Sequence, residues 1–468
     1  MGKTLDAKQN KMGTMPVGRL LFTMALPLVI SMLVQALYNV VDSVYIAKYS
    51  QNAVTALSLA FPIQNLQIGV STGIAVGMNS LLSKALGEGD REKANKAAGN
   101  GIFLMAIAIT IFMLFGFFGA KGYYGMQAIS AETAAAGTAY TSICCIFIAG
   151  IFVEILGERL LQSSGKTVFT LFTQGVGAVI NIVLDPLFIF GVESLGIPAL
   201  GSAGAAIATV IGQWVAATMA IIFNLTCNKD IKFRLRYILP NMKVIGKILG
   251  VGIPSMIMMA IGAVMNFSMN QIFLAFGVIG EVASGVFGVY YKLQSFFLMP
   301  LFGINNASIS IIAFNYGARQ PKRITGNLKC AVGAASVIML IGLLSFQLLP
   351  HVFMSIFSNS DQESSAKFME MGIVALKTVS WHFPLAAIGI SLGASFQALG
   401  NGIYSTITSL CRQMIALLPA AYLLSLTGDV NAIWWAFPIA EVVSAAVTLI
   451  LYARIYRQKI KPMKTLNP

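Results

Sequence analysis

Long apolar runs separated by short polar breaks dominate this chain. Each run is long enough to cross a lipid bilayer as a helix, because about 20 apolar residues cover the hydrocarbon core. A helix also satisfies its own backbone hydrogen bonds where water is absent. The pattern predicts an all-α integral membrane protein with about twelve transmembrane helices. These lie near residues 17–47, 53–82, 97–119, 133–160, 168–191, 202–226, 243–276, 282–314, 327–350, 366–398, 403–426 and 431–456.

The composition supports the membrane interpretation. Of the 468 residues, 57% are hydrophobic and only 10% are charged, and the mean hydropathy is +0.79. A soluble fold could not cover so much apolar surface. The net charge of +14 would suggest nucleic-acid binding in a soluble protein, but here the basic residues stand in short clusters between apolar runs. We therefore expect the lipid bilayer, and no nucleic acid, as the partner of this surface.

The basic clusters fall on alternate connections between the runs. They lie at the N-terminus, after the second helix, in the central connection, after the eighth helix and at the C-terminus, whereas the opposite connections hold little beyond Lys48, Lys121 and Lys367. Because basic loops stay in the cytoplasm, both termini are predicted to be cytoplasmic, as tails of residues 1–16 and 457–468. The predicted location is the cell membrane, crossed many times.

An internal repeat divides the chain. A motif in the second run reappears at the same spacing in the eighth, and three further matches keep offsets between 227 and 235 residues. The sequence thus predicts two pseudo-symmetric six-helix bundles of equal orientation, over residues 17–226 and 243–456, joined by a cytoplasmic linker at 227–242. The matched residues are Gly73, Ile74, Ser80 and Gly87 with Gly303, Ile304, Ser310 and Gly317, Pro27 and Asn39 with Pro254 and Asn266, and Gln162–Gly165 with Gln397–Gly400.

Acidic residues inside apolar helices are costly and usually mark function. Asp42 shares a helical face with Gln35 and Asn39, and Asp185 follows Asn181 by one turn. Carboxylate and amide oxygens suit a proton or a sodium ion, so these residues are candidates for ion coupling, with Gln35 facing the substrate. The alternative is that both aspartates only brace helices. Neither has an acidic counterpart in the second half, which favours an ion site in the first.

Other charged residues have roles that the sequence leaves open. Glu158 and Arg159 could form a structural or gating salt bridge, and Arg412 could pair with Glu441 across the last two helices. Glu154, one turn deeper than Glu158, is a candidate for lining the substrate pathway. Lys292 needs water or a carboxylate and could also line a cavity. Flexible and aromatic side chains that could add an adaptable substrate surface are Met256, Met265, Met269 and Phe296.

Cofactor chemistry finds no support in the sequence. The five cysteines lie in or beside apolar runs and are interpreted as packing residues, so no metal is expected beyond a sodium ion at Asp42 and Asp185. Gly165-Lys166-Thr167 is similar to the end of a phosphate loop, but Leu160 stands where the first glycine is needed. We expect no cofactor, no nucleotide and no enzymatic activity.

Several motifs resemble the multidrug and toxic compound extrusion (MATE) family over essentially the whole chain. The motifs are Pro27 with Asn39 and Asp42, Asn181–Gly191 containing Asn-x-x-x-Asp-Pro, Gly201–Thr209, Gly252-Ile-Pro254 and Asn315-Tyr-Gly317-Ala. The resemblance implies two bundles around a central cavity and a first-lobe cation site at Asp42, Asn181, Asp185 and Thr209. It is nearest to the bacterial multidrug exporters. Some branches also place acidic coupling residues in helices seven and ten, whereas here helix seven has none and helix ten offers Lys377 and His382 instead.

The expected function is secondary-active export of amphipathic, often cationic organic compounds in exchange for protons or sodium ions, by a protein that works as a monomer. One alternative is a flippase for lipid-linked precursors, although such proteins commonly have more helices and a cationic cavity. Another is a receptor or channel subunit without transport. The sequence identifies neither the substrate nor the coupling ion.

Overall fold

The chain folds into a bundle of long helices. The computed structural model describes residues 10–127, 129–192, 196, 198–357 and 362–466. Within them, eleven helices are long and apolar enough to cross a membrane, and a further pair bent by 44° makes a twelfth span. The predicted all-α membrane protein with about twelve spans is confirmed.

The first six spans form what we call the first lobe. A short helix, α1 (Lys11–Thr14), precedes them. The break in the fourth span lies between α6 and α7. The spans are α2 (Val17–Tyr49), α3 (Gln51–Gly87), α4 (Arg91–Leu114) continued by a π-helical turn and α5 (Ala120–Gly125), α6 (Ala131–Ile146) with α7 (Ala149–Ser163), α8 (Val168–Ile189) and α9 (Ser202–Thr226).

The remaining spans form the second lobe. The short α10 (Leu235–Ile238) lies in the central connection. The spans are α11 (Met242–Leu274), α12 (Val278–Gly317), α13 (Pro321–Leu348) followed by α14 (Pro350–Ser355), α15 (Gln362–Val379) with α16 (Phe383–Ala398), α17 (Gly402–Leu410) with α18 (Leu418–Ser425), and α19 (Ala436–Ile455) with α20 (Lys461–Leu466). A π-helical segment, Cys411–Leu417, joins α17 to α18.

The turns that end equivalent spans adopt the same backbone conformation in both lobes. Gly165 after α7 and Gly400 after α16 both have positive φ, at 77° and 76°. Gly89 after α3 has φ 74°, and Arg319, 230 residues later, has φ 53°. A left-handed residue is common after a helix C-terminus, and a non-glycine residue there is unusual. The repeated residues therefore correspond to a repeated backbone.

Paired glycines bring the two lobes together. A Cβ on Gly87 would collide with the carbonyl of Phe314, and one on Gly317 would collide with the carbonyl of Lys84, the residue 230 positions before Phe314. A Cβ on Gly303 would meet Val29 at 2.8 Å. Only glycine permits such close approach of helix backbones. The second and eighth spans therefore cross through their glycine faces.

Polar side chains reinforce this crossing. Asn79 donates to Ser310 at 3.1 Å, and the Ser310 hydroxyl can donate back to Asn79 at 3.2 Å. Ser80 donates to the carbonyl of Gln397 at 2.8 Å. These side chains are buried, so their hydrogen bonds have no competing water. Together the contacts hold the lobes against each other near the C-terminal ends of α3 and α12.

Gly87→Ala should weaken the contact between the lobes. The added methyl group overpacks against a backbone carbonyl, which typically costs about 1–3 kcal/mol. We expect a lower unfolding midpoint of the purified protein in detergent. Gly333→Ala is the matched control, because a Cβ there meets nothing within 4 Å and alanine favours the helix. Equal midpoints for the two variants would contradict the glycine-mediated crossing.

Candidate ion site and cavity of the first lobe

Asn181 links the groups at the centre of the first lobe. It lies one turn before Asp185 on α8, and its side-chain amide donates to Asp185 Oδ1 at 3.2 Å and to Thr209 Oγ1 of α9 at 3.3 Å. Asn181 is 3% exposed and Asp185 is fully buried. The i, i+4 spacing on α8 therefore places the amide and the carboxylate on one face, turned toward α9.

The carboxylate of Asp42 reaches the same region from α2. Its charge and that of Asp185 are close enough to interact, and Tyr38 lies within electrostatic range of both aspartates and of Glu154. Three acidic side chains thus lie within electrostatic range of one tyrosine. The side chain of Asn39, predicted to belong to the site, lies outside the described residues.

Several oxygens at this site lack a hydrogen-bond donor. Within the part of the chain that is described, Asp42 Oδ1, Asp185 Oδ2 and Asn181 Oδ1 are buried and have no hydrogen-bond partner. Buried polar atoms are normally satisfied. Carboxylate and amide oxygens are the ligands of hard cations, and a carboxylate can also be satisfied by taking up a proton. These unpaired oxygens therefore suit a proton or a sodium ion.

A cavity opens beside these groups, inside the first lobe and not at the boundary between the lobes. It is lined by polar side chains and by small or branched apolar ones. Gln35 and Glu154, two of the residues that the sequence suggested for a substrate cavity, are among the lining residues; whether substrate passes here stays a prediction. The lining residues are Gln35, Tyr38, Ile68, Ile151, Glu154, Ile155, Gln174, Gly177, Ala178, Asn181, Thr209, Gly212 and Gln213.

The other predicted cavity residues lie elsewhere. Met256 packs against Gly73 where the lobes meet. Met265 is 5% exposed and Met269 is fully buried, both in the apolar core of the second lobe. Lys292 and Phe296 are exposed on α12. The two methionines fill core space here because the repeat places apolar side chains where the first lobe has Tyr38 and Asp42.

The structure adds three cavity residues that sequence reasoning missed. Tyr38, Gln174 and Gln213 are polar residues within apolar helices, and all three line the cavity. The sequence analysis considered mainly charged residues and therefore omitted these three. An uncharged amide or phenol in a membrane helix also indicates a polar site, though less strongly than a charge, because it too must find a hydrogen-bond partner.

Glu158 and Arg159 do not pair with each other. Glu158 accepts hydrogen bonds from Thr173 at 2.7 Å and from Gln174 at 3.0 Å, and Arg159 donates to Gln162 at 3.0 Å. Adjacent side chains on a helix point in different directions, so the predicted salt bridge between these neighbours is wrong. Glu158 instead joins α7 to α8. The other predicted pair is present, with Arg412 Nη1 lying 3.9 Å from Glu441 Oε2.

Glu158→Ala should destabilise the first lobe more than Glu154→Ala. Removing the Glu158 carboxylate removes both hydrogen bonds that join α7 to α8 here, from Thr173 and from Gln174, and such a bond typically contributes about 0.5–1.5 kcal/mol. Glu154 is only partly buried at the cavity wall, and we find no hydrogen bond to it within the described residues. The check is the thermal unfolding midpoint of each variant in detergent. A larger drop for Glu154→Ala would contradict this assignment.

The architecture defines a class. Two related six-span lobes with buried acidic groups beside a cavity are characteristic of membrane transporters. The family model MatE matches residues 27–187 and 254–423, more than half of the chain. The chain belongs to the MatE family, the multidrug and toxic compound extrusion transporters, as its motifs indicated.

Relatives and solved structures agree with this placement. The multidrug export protein MepA of Staphylococcus saprophyticus is 24% identical over 430 residues, covering 92% of each chain. MepA of Staphylococcus aureus strain MSSA476 is 23% identical over 448 residues, covering 93% of this chain and 94% of the relative. An outward-facing multidrug resistance MATE family transporter of the MOP superfamily superposes with a TM-score of 0.89 at 23% identity, over 99% of this chain and all of the other. A transporter from Pyrococcus furiosus described as having a binding pocket of reverse polarity gives 0.88.

Proposed function

We propose that this chain exports amphipathic, often cationic organic compounds in exchange for protons or sodium ions, and that the first lobe holds the coupling ion. One observation carries the proposal. Asp42, Asp185 and Glu154 lie within electrostatic range of Tyr38 in the wall of the cavity, and acceptor oxygens of both aspartates lack donors. A cation or proton supplies what these oxygens lack.

The coupling follows from competition for this region. Asp42 and Asp185 repel each other when both are charged, so a bound proton or sodium ion stabilises the loaded lobe. A cationic substrate entering the cavity past Gln35 and Glu154 meets the same negative charge. Ion and substrate would then exclude one another, which is the requirement for exchange. Isoleucines in the cavity wall suit the apolar part of such a substrate.

The relatives support drug export as the activity, since the staphylococcal proteins are named multidrug export proteins. The basic clusters support a cell-membrane protein whose two termini lie in the cytoplasm. The transporter is proposed to act as a monomer, because each chain contains a complete site. The flippase alternative has less support. Of Lys292 and Arg412, the second-lobe cations considered for binding a pyrophosphate, Arg412 is already beside Glu441 and Lys292 is exposed on α12.

Asp42→Asn and Asp185→Asn should each abolish gradient-driven transport while leaving expression intact. Each change removes a carboxylate that can take up and release the ion. The measurement is accumulation of a fluorescent cationic dye in inverted membrane vesicles, under an imposed pH gradient and, separately, an imposed sodium gradient. The gradient that drives accumulation in the wild type identifies the coupling ion.

Asp429→Asn is the matched control for this experiment. Asp429 is exposed before the last span and caps it by accepting from the Asn431 amide, a role that asparagine also fills. Transport should be unchanged. Full dye transport by Asp42→Asn and Asp185→Asn would rule out coupling through the first lobe. Movement of a lipid-linked precursor, with no dye transport by the wild type, would favour the flippase.

A further inference from the structure

The second lobe buries an acidic residue together with its own cation. Glu441 on α19 has a side chain that is 5% exposed, and its Oε2 lies 3.9 Å from Arg412 Nη1. The other carboxylate oxygen, Oε1, is buried without a hydrogen-bond partner among the described residues. Glu441 is thus as deeply placed as the first-lobe carboxylates, but it has a tethered positive charge beside it.

The internal repeat shows which first-lobe positions this pair replaces. Gly165 and Gly400 have the same left-handed conformation in corresponding turns of the two lobes. This correspondence gives an offset of 235 residues for the helices on either side of each turn. With that offset, Glu154 on α7 corresponds to Gly389 on α16. On the helices after the turn, Gly177 corresponds to Arg412. Both Glu154 and Gly177 line the first-lobe cavity.

The geometry agrees with this correspondence. A Cβ built on Gly389 would lie 3.6 Å from Glu441 Oε1. The carboxylate of Glu441 therefore reaches from α19 to the space beside the position where the first lobe carries Glu154. Each lobe has a carboxylate at this corner, supplied from a different helix.

Arg412, the cation beside Glu441, lies on irregular backbone. Arg412 lies in the π-helical segment Cys411–Leu417, whereas Gly177 lies within the α-helix α8, where a Cβ would meet the Gly212 carbonyl at 3.1 Å. A π-helical turn inserts an extra residue and is frequent at functional sites. The second lobe thus places a long cationic side chain where the first lobe has close glycine packing and an open cavity.

We propose that Arg412 is a tethered cation that permanently compensates the charge of Glu441. In the first lobe, an imported proton or sodium ion does the same for the carboxylates. The inference rests on the proposed ion coupling by the first lobe. A buried carboxylate without a partner is strongly unfavourable, so Glu441 needs a positive charge or a proton at all times. With Arg412 present it needs neither from solution, and the second lobe takes up no coupling ion.

The proposal predicts that removing Arg412 creates a new ion site. The other ionisable groups facing the pair are Tyr290 and Tyr291 of α12 and His382 before α16, and none of them carries a carboxylate that would replace Glu441. In Arg412→Ala, the Glu441 carboxylate must bind a proton or a cation from solution. The ion affinity of the second lobe should therefore depend on Glu441 only when Arg412 is absent.

The experiment uses the full chain with Asp42→Asn and Asp185→Asn, which remove both aspartates of the first-lobe site. The unfolding midpoint in detergent is measured against sodium chloride, balanced with choline chloride, and against pH. With Arg412 intact we expect no response that is lost in Glu441→Gln, whatever the remaining titratable groups such as Glu154 and His382 contribute to both proteins. Arg412→Ala should add a saturating rise with sodium or with falling pH, Arg412→Ala with Glu441→Gln should lose it, and Arg412→Lys should show none.

Each result decides the matter. A response that depends on Glu441 while Arg412 is intact would overturn the proposal, as would a folded Arg412→Ala protein without any response. If Arg412→Ala fails to accumulate in membranes, recovery by Glu441→Gln would support the proposal, because the unpaired carboxylate is then the cause. Failure of both would overturn it, since Arg412 would be needed for packing. The unfolding midpoint reports ion binding and not transport. A failure of the vesicle experiment on first-lobe coupling is therefore a separate result.

Discussion

The cost of an unpaired charge inside an apolar bundle governs this structure. Water cannot solvate a carboxylate buried among membrane helices, so each one must find a proton, a cation or hydrogen-bond donors. Glu158 is satisfied by Thr173 and Gln174 across the α7–α8 contact. Glu441 lies beside Arg412. The aspartates of the first lobe, like Glu441, retain an oxygen without a donor, but in the described part of the chain no lysine or arginine forms an ion pair with them. This difference separates structural acids from candidate functional ones.

The same constraint explains why two lobes with one fold can differ in role. The repeat preserves the turns at Gly165 and Gly400 and the glycine contacts around Gly87 and Gly317, because those positions determine how helices pack. It does not preserve the charges, since a buried charge needs only local compensation. Packing can therefore keep the lobes alike while the ionisable groups diverge.

Much of the fold could be predicted from the sequence, since twelve apolar runs and a repeated glycine motif determine spans and halves. The site was predicted in part. Asn181 and Asp185 share a face because of their spacing, and the structure adds the bond from Asn181 to Thr209. The location of the cavity was not predictable, because periodicity cannot tell which polar faces of separate helices meet. For the same reason Met269 was assigned to a cavity although it packs in the core, and adjacency in sequence suggested a Glu158–Arg159 pair that side-chain directions prevent.

Helix α2 connects the candidate site to the contact between the lobes. Its later half carries Gln35 and Tyr38 into the cavity wall and Asp42 into the acidic group, while its earlier half places Val29 against Gly303 of α12. It packs on α8 of its own lobe and on α12 of the other. A change in charge at Asp42 therefore acts on a helix that both lobes share. Ion binding in the first lobe can therefore change the relative position of the two lobes through α2. Such coupling requires that α2 has two arrangements and that the ion binds one of them more tightly.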